Sequence, residues 1–341
     1  MGKYLYYLLP AILLSLYFEF TGNELATFFT ACLSIIPLAG IMGEATESLA
    51  CHAGERVGGL LNATFGNATE LLITIFALRA GLFDVVKASI AGSILGNILL
   101  VLGLSILVGG IKNGEQVFDR VHVNNQTSLM LLSTIALIIP AVFFQGDQQN
   151  LSLEGFSLAV ASILLLLYFA GLLFAMGRKN EDICAMDEAH WSRSRSILVL
   201  ALSTALIAME SEFLVGGIEP VTKALGWSEF FIGIIIIPII GNAAEHFTAV
   251  TMALKNKMDL SFEIAVGSST QIAMLVTPIL VFLSLAFGTP MSMMFNYHEI
   301  VAVGLAVLIA QFISLDGESN WLEGALLLAA YFIVALAFYY L

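Results

Sequence analysis

Charge is what this chain has least of. Asp, Glu, Lys and Arg make up 11% of its 341 residues, where a soluble domain carries roughly 25%. Apolar side chains make up 59%, and the mean hydropathy is +0.94. Too few charges remain to cover a surface facing water, so the solvent of this protein is lipid. Basic residues are the scarcer sign, 13 against 26 acidic ones for a net charge of −13, which excludes nucleic acid as a main partner. Cysteine is scarce too. Cys32, Cys51 and Cys184 lie far apart with no C-x-x-C spacing, so neither a disulfide framework nor a zinc site is indicated, and free apolar thiols are expected.

Long apolar runs fill the space these absences leave. A helix needs about 20 apolar residues to cross the hydrocarbon core. Polar breaks divide the chain into spans near 4–20, 25–50, 57–79, 85–109, 127–145, 153–176, 195–218, 228–254, 260–286, 299–315 and 320–340. Eleven spans leave only short loops, which excludes a large extramembrane catalytic domain and hence an ordinary enzyme. Lys3 precedes the run from Tyr4 to Phe18, but no small-x-small cleavage site follows, so this segment is expected to stay as a first span.

Orientation follows from alternate-side counts of Lys and Arg. Lys3, Arg56, Lys112, Arg120, Arg178, Lys179, Arg193, Arg195, Lys255 and Lys257 fall on the side of the N-terminus, against Arg79, Lys87 and Lys223 opposite. This bias places the N-terminus and the loop 177–195 in the cytoplasm and the C-terminus outside.

The chain also repeats itself. Gly66-Asn67-Ala68-Thr69-Glu70 returns as Gly241-Asn242-Ala243-Ala244-Glu245, and a Gly-Ser pair starts 26 residues after the first glycine in both copies, at Gly92-Ser93 and Gly267-Ser268. Thr46-Glu47-Ser48-Leu49 is echoed by Ser211-Glu212-Phe213-Leu214. Each copy holds five spans, and an odd number makes the second copy enter the membrane from the opposite face. The expected fold is an all-α membrane protein of about 11 transmembrane helices: a peripheral first helix (1–22), a five-helix repeat (23–176), an acidic cytoplasmic linker (177–194) and an inverted second repeat (195–341). In such proteins substrate and coupling-ion sites lie near the midplane where repeats meet.

Glu70 and Glu245 both fall deep within their spans. An acidic residue at helix centre costs about 2.5–3.5 kcal/mol even on a lenient insertion scale, so it persists only when paired, protonated or facing water. A neutral glutamate stitching helices together would explain one such residue; equivalent positions in two repeats point to function. Asn67 and Asn242 precede these glutamates by three residues and are expected on the same helix faces. Gly66 and Gly241 permit local unwinding, which would free main-chain carbonyls, and Pro238 adds a kink. Ser93, Ser268 and Gln271 bring further oxygens, against the alternative of small-residue helix packing. Oxygen ligands with two carboxylates suit a hard cation, Ca²⁺ before Mn²⁺; zinc would ask for imidazole or thiolate. His246, about 100° around the helix from Glu245, supports the site from behind and is no ligand.

Low-dielectric surroundings favour the protonated carboxyl and a divalent cation favours the ionised one, so metal and protons compete for Glu70 and Glu245. That competition is itself an exchange reaction. Glu47 and Glu212 flank the pair on opposite sides as a proton pathway, with Glu44 sharing the face of Glu47; only one of Glu210 and Glu212 faces the path, since two residues apart point nearly opposite ways. The acidic stretch from Glu181 to Glu188 would form a short helix that gathers cations, or a solvated connector.

With these residues assembled, the two motifs resemble the signature repeats of the calcium/proton exchanger family, part of the cation/calcium antiporter superfamily. The resemblance covers nearly the whole chain. It implies Ca²⁺ export driven by H⁺ entry through alternating access, with no cofactor. It implies Glu70 and Glu245 as central cation and proton sites, Asn67, Asn242, Ser93, Ser268 and Gln271 around them, and Glu47 and Glu212 on the proton path. It also implies an acidic helix at 181–190. A short N-terminus, unlike plant and fungal vacuolar members, suggests a microbial plasma-membrane protein. The bilayer, Ca²⁺ and H⁺ are the expected partners, and the sequence leaves a homo-oligomer open. The alternatives are a Na⁺-coupled or Mn²⁺-selective exchanger, a cation channel, whose filter would rest on oligomeric rings or carbonyl loops, and an intramembrane enzyme, for which no H-E-x-x-H or nucleophile–His pairing stands out.

Overall fold

The computed structural model describes residues 3–144, 151–177 and 191–341, so the acidic segment 181–190 lies outside the described residues. After a 3₁₀ turn at Lys3–Leu8 the chain runs through α1 (Ala11–Thr21), α2 (Glu24–Ala53), α3 (Glu55–Phe65), α4 (Ala68–Arg79), α5 (Phe83–Leu95), α6 (Leu102–Asn113), α7 (Arg120–Phe143) and α8 (Leu151–Gly177). It continues through α9 (Arg193–Gly216), α10 (Ile218–Leu225), α11 (Glu229–Phe231), α12 (Ile237–Gly241), α13 (Ala243–Leu254), α14 (Met258–Gln271), α15 (Thr277–Ala286), α16 (Tyr297–Ile313) and α17 (Trp321–Tyr339). π-Helical turns at Gly96–Val101, Ile232–Ile236 and Ile272–Val276 join α5 to α6, α11 to α12 and α14 to α15.

Among the described residues, seven helical segments are long and apolar enough to cross a bilayer: Glu24–Ala53, Phe83–Asn113, Val123–Phe143, Leu153–Phe174, Arg193–Leu225, Met258–Ala286 and Trp321–Tyr339. Glu229–Gly241 and Ala243–Leu254, bent by 58° at their junction, make an eighth when taken as one span. The remaining three of the eleven expected segments differ. Those near 4–20 and 299–315 are shorter apolar helices, Tyr6–Thr21 and Tyr297–Ile313. The one near 57–79 is divided into α3 and α4, because Asn67 leaves helical geometry at φ −102°, ψ 24°. Among the described residues the fold is nearly all helical; the exception there is a short antiparallel ribbon pairing Gln116 with Ser319 and Val117 with Glu318.

Many hydroxyl groups inside these helices bond to their own backbone, which suits a lipid environment. In α2, Thr30 Oγ1 donates to Ala26 O at 2.7 Å and Ser34 Oγ to Thr30 O at 2.7 Å. Outer faces are apolar: Leu166, Leu173, Phe332 and Ile333 are exposed on α8 and α17. That is the pattern of a surface solvated by acyl chains. The protein is a multi-pass integral membrane protein.

The chain forms two compact units, each drawing on both halves of the sequence. The first comprises Met1–Ala80, Leu167–Glu229 and Ile240–Ala244. Here α2 packs along α9, with α1 and α4 beside them, around a core of Leu38, Met42, Ala45, Ala68, Leu200 and Ile207. Ser48 ties α2 to the start of α9, its hydroxyl meeting Ser196 Oγ at 3.1 Å. The second unit comprises Gly81–Leu166, Phe230–Ile239 and Glu245–Leu341. In it α6 crosses α17 closely, since a Cβ at Gly324 would stand 2.3 Å from Leu107 N. Small residues bring helices together in lipid in this way. Lys112 Nζ and Gln116 Nε2 donate to the last carbonyls of α13, those of Leu254 and Ala253, each at 3.0 Å. They satisfy acceptors that the helix end leaves open.

Candidate functional site

In the first unit, the Gly66-Asn67 motif breaks the chain between α3 and α4. Asn67 is the residue before α4, buried and non-helical, so the shared helix face expected for Asn67 and Glu70 gives way to a helix start. Glu70, 3% exposed, sits in the first turn of α4. Backbone N–H groups at a helix N-terminus favour negative charge there. The repeated motif supplies the same unit's other piece. A Cβ built on Gly241 would stand 3.1 Å from Glu70 Oε1 and 3.4 Å from its Cδ. Glycine at 241 therefore lets the carboxyl group lie directly against main chain. Asn242, also buried, is the residue at which the helix breaks before α13.

Of the acids expected on a proton pathway in this unit, Glu44 is half-buried on α2 and accepts a hydrogen bond from Tyr6 Oη at 3.0 Å. Glu47 and Glu212 are exposed, on α2 and α9. Glu210 is the buried member of its pair, with no exposure; its Oε1 accepts from Ser15 Oγ of α1 at 2.6 Å. The sequence separated these two by direction and the structure separates them by burial.

The second unit carries Glu245, Ser93, Ser268, Gln271 and Gly267. Glu245 occupies the first turn of α13, as Glu70 does in α4. Its carboxyl group is hydrogen-bonded with the Ser268 hydroxyl. Ser268 Oγ accepts from Asn97 Nδ2 at 3.2 Å, and Asn97 Oδ1 lies 3.3 Å from His246 Nε2. The amide oxygen of Asn97 faces His246 and its amide nitrogen faces Ser268, so Asn97 links the imidazole to the hydroxyl that is hydrogen-bonded with Glu245. Sequence reasoning missed Asn97, although its spacing of four from Ser93 puts both on one helical face.

Local helix geometry serves the same region. π-Helical turns begin three residues after Ser93 and four after Ser268. Such turns are frequent at functional sites. Gly92 is pressed against the π-helical turn at Ile232–Ile236: a Cβ there would stand 2.0 Å from Ile234 O and 2.7 Å from Pro238 Cγ. Pro238, lacking an N–H, leaves that carbonyl without its helical donor, and the Gly92 backbone fills the space. Gln271, half-buried, ends α14, three residues after Ser268.

Comparison with known proteins agrees with the motifs. The family model described as sodium/calcium exchanger protein matches residues 23–177 and 195–340. The Ca(2+)/H(+) antiporter ChaA of Bacillus subtilis (strain 168) is 48% identical over 323 residues, covering 92% of this chain and 92% of that one. A Ca(2+)/H(+) antiporter of Aphanothece halophytica is 45% identical, over 93% of this chain and 91% of its own. The solved structure of native YfkE superposes with a TM-score of 0.88 at 45% identity, covering 99% of this chain and 100% of that one. These relatives are transporters, not enzymes. The chain belongs to the sodium/calcium exchanger protein family and, within it, to the calcium/proton exchangers.

Proposed function

We propose that this protein is a secondary antiporter that exports Ca²⁺ from the cytoplasm in exchange for H⁺. Glu70 and Glu245 are the residues for which metal and protons compete, and Asn67, Asn242, Ser93, Ser268, Gln271 and the main chain at Gly66 and Gly241 supply further oxygens. Glu44, Glu47 and Glu212 carry protons toward them. The cycle runs by alternating access of two inverted five-helix repeats, with the N-terminus cytoplasmic, the C-terminus external and the plasma membrane of a microbe as the setting.

One observation carries the reading. Each copy of the repeated motif puts a glutamate in the first turn of a helix that begins at a break, in a chain 48% identical to a Ca(2+)/H(+) antiporter. A helix start stabilises the ionised carboxylate that a cation needs, and a broken helix exposes carbonyl oxygens. Ca²⁺ accepts such sets, six to eight oxygens at about 2.3–2.6 Å in irregular geometry.

The test is ion substitution with the purified protein in liposomes. A pH gradient alone, in sodium-free medium, should drive Ca²⁺ uptake, and added Ca²⁺ should collapse the gradient. Uptake that requires sodium would overturn the coupling, and Ca²⁺ movement without proton movement would make the protein a channel.

A further inference from the structure

In the second unit, a second buried carboxyl group lies outside the residues assigned above. Glu299 sits in the first turn of α16 and is 1% exposed. Its Oε2 accepts from Asn296 N at 2.6 Å, completing a capping box. Its Oε1 is buried with no hydrogen-bond partner among the described residues. The Glu299 side chain borders a small cavity with an apolar lining, to which Ala91, Ile94, Phe295 and Val303 contribute.

Capping does not account for this burial. α17 begins with the same motif, Asn320 and Glu323, with Asn320 N donating to Glu323 Oε2 at 3.1 Å. There the glutamate is half-buried and its charge reaches solvent. Sealing the equivalent carboxyl group at Glu299 costs free energy that the cap alone does not require. The same repeat offset that pairs Gly66 with Gly241 pairs Glu299 with Asn124, so only the second half carries an acid here.

The surroundings are suited to a proton. The charged groups acting on Glu299 are Lys87 and Asp84, both on α5. Lys87 is half-buried and Asp84 exposed, and Lys87 makes no bond to the open oxygen. From α7, Thr134, Leu137 and Ile138 line the cavity, and the Thr134 hydroxyl is turned to its own helix, donating to Met130 O at 2.9 Å. On α16 itself the neighbouring titratable group, His298, is exposed and lies 3.1 Å from Asn296 Oδ1. The cavity touches Ala91 and Ile94, which bracket Gly92-Ser93 on α5. A proton held at Oε1 is therefore next to the helix that carries a proposed cation ligand.

We propose that Glu299 is a further proton-binding site of the transport cycle, its buried Oε1 taking up and releasing a proton under the influence of Lys87. The step is simple protonation of a carboxylate and its reversal, and no co-reactant is involved. It rests on the reading of the protein as a Ca²⁺/H⁺ antiporter.

The experiment measures Ca²⁺ uptake by the full chain in liposomes against pH on the proton-supplying side, for wild type, Glu299→Gln, Lys87→Met and the double variant. Glutamine keeps an acceptor for Asn296, so the cap survives and the melting temperature in detergent should match wild type. Glu299→Gln should lower the rate several-fold at the pH where wild type is half-maximal and change the shape of the profile. Lys87→Met removes a positive neighbour, so Glu299 binds its proton more firmly and the profile should move to higher pH, by about 1 unit at most. The double variant should behave as Glu299→Gln. A Glu299→Gln profile that overlays wild type would overturn the proposal, as would a Lys87→Met shift that persists without Glu299. Should Glu299→Gln fail to fold, an unshifted Lys87→Met profile alone would overturn it. Failure of the antiporter reading is distinguishable, since wild type itself would then move no protons against Ca²⁺.

Discussion

A β-carbon at Gly241 would stand 3.1 Å from Glu70 Oε1, so the glycine of one motif copy and the glutamate of the other share a single packing contact in the first unit. The neighbour is the far end of a flexible side chain, not backbone. Gly241→Ala should therefore fold with a melting temperature close to wild type, while pushing the carboxyl group by a few tenths of an ångström. The expected outcome is a Ca²⁺ KM raised by about 10-fold, because ligand constellations need placement within about 0.5 Å. Radiolabelled Ca²⁺ uptake with a parallel melting curve checks it.

Gly92→Ala should behave in the opposite way. Its Cβ would meet the Ile234 carbonyl oxygen at 2.0 Å, which is main chain and does not swing aside. Overpacking of this kind costs about 1–3 kcal/mol or more. Low yield and a lowered melting temperature in detergent are expected, and a variant as stable as wild type would contradict the close approach of α5 to the π-helical turn at Ile232–Ile236.

Neutralising either central glutamate should abolish exchange. Glu70→Gln and Glu245→Gln keep the size of the side chain and remove the charge that both Ca²⁺ and H⁺ need. Uptake should fall more than about 100-fold, beyond the 10- to 100-fold typical of changing a group behind a metal ligand. Normal transport by either variant would remove that residue from the site.

Asn97→Leu should act through Ser268. Without the amide, Ser268 Oγ loses its 3.2 Å donor and the His246 ring loses its 3.3 Å partner. The hydroxyl that is hydrogen-bonded with Glu245 is then held less firmly. The Ca²⁺ KM should rise about 10-fold with the maximal rate less affected, and titration of uptake against Ca²⁺ separates the two parameters.

Ser15→Ala tests the tie between α1 and α9. It removes the 2.6 Å hydrogen bond to Glu210, whose other oxygen is already buried without a hydrogen-bond partner among the described residues. Leaving a buried acceptor unsatisfied costs about 1–3 kcal/mol. The melting temperature should drop, and Ser15→Ala combined with Glu210→Leu should recover much of it.

Much of this protein was legible in its sequence, and for identifiable reasons. Hydropathy is a one-dimensional property, and the need to bury about 20 residues per crossing wrote most of the spans into the chain, those near 4–20, 57–79 and 299–315 excepted. The repeated Gly-Asn-Ala-x-Glu motif marked Glu70 and Glu245 because a carboxylate within an apolar span is costly wherever it lies. Less legible was what the motif does to the backbone. A glycine followed by asparagine reads equally well as a helix face or a helix break, and packing around Asn67 and Asn242 selects the break. Asn97 and Glu299 carried no repeated signature, and each gains its meaning from residues distant in the chain.

The sequence alone settled the solvent, the helical class, the two-fold repetition of an acidic motif and the family, because composition, spacing and identity are properties of the chain order. Tertiary structure decided which face of each element is sealed. It buried Glu210 and exposed Glu212, laid Glu70 against a glycine from the other copy, and sealed one oxygen of Glu299 away from any hydrogen-bond partner among the described residues. Those outcomes depend on which helices pack together, and burial and hydrogen-bond partners come into being only when they do.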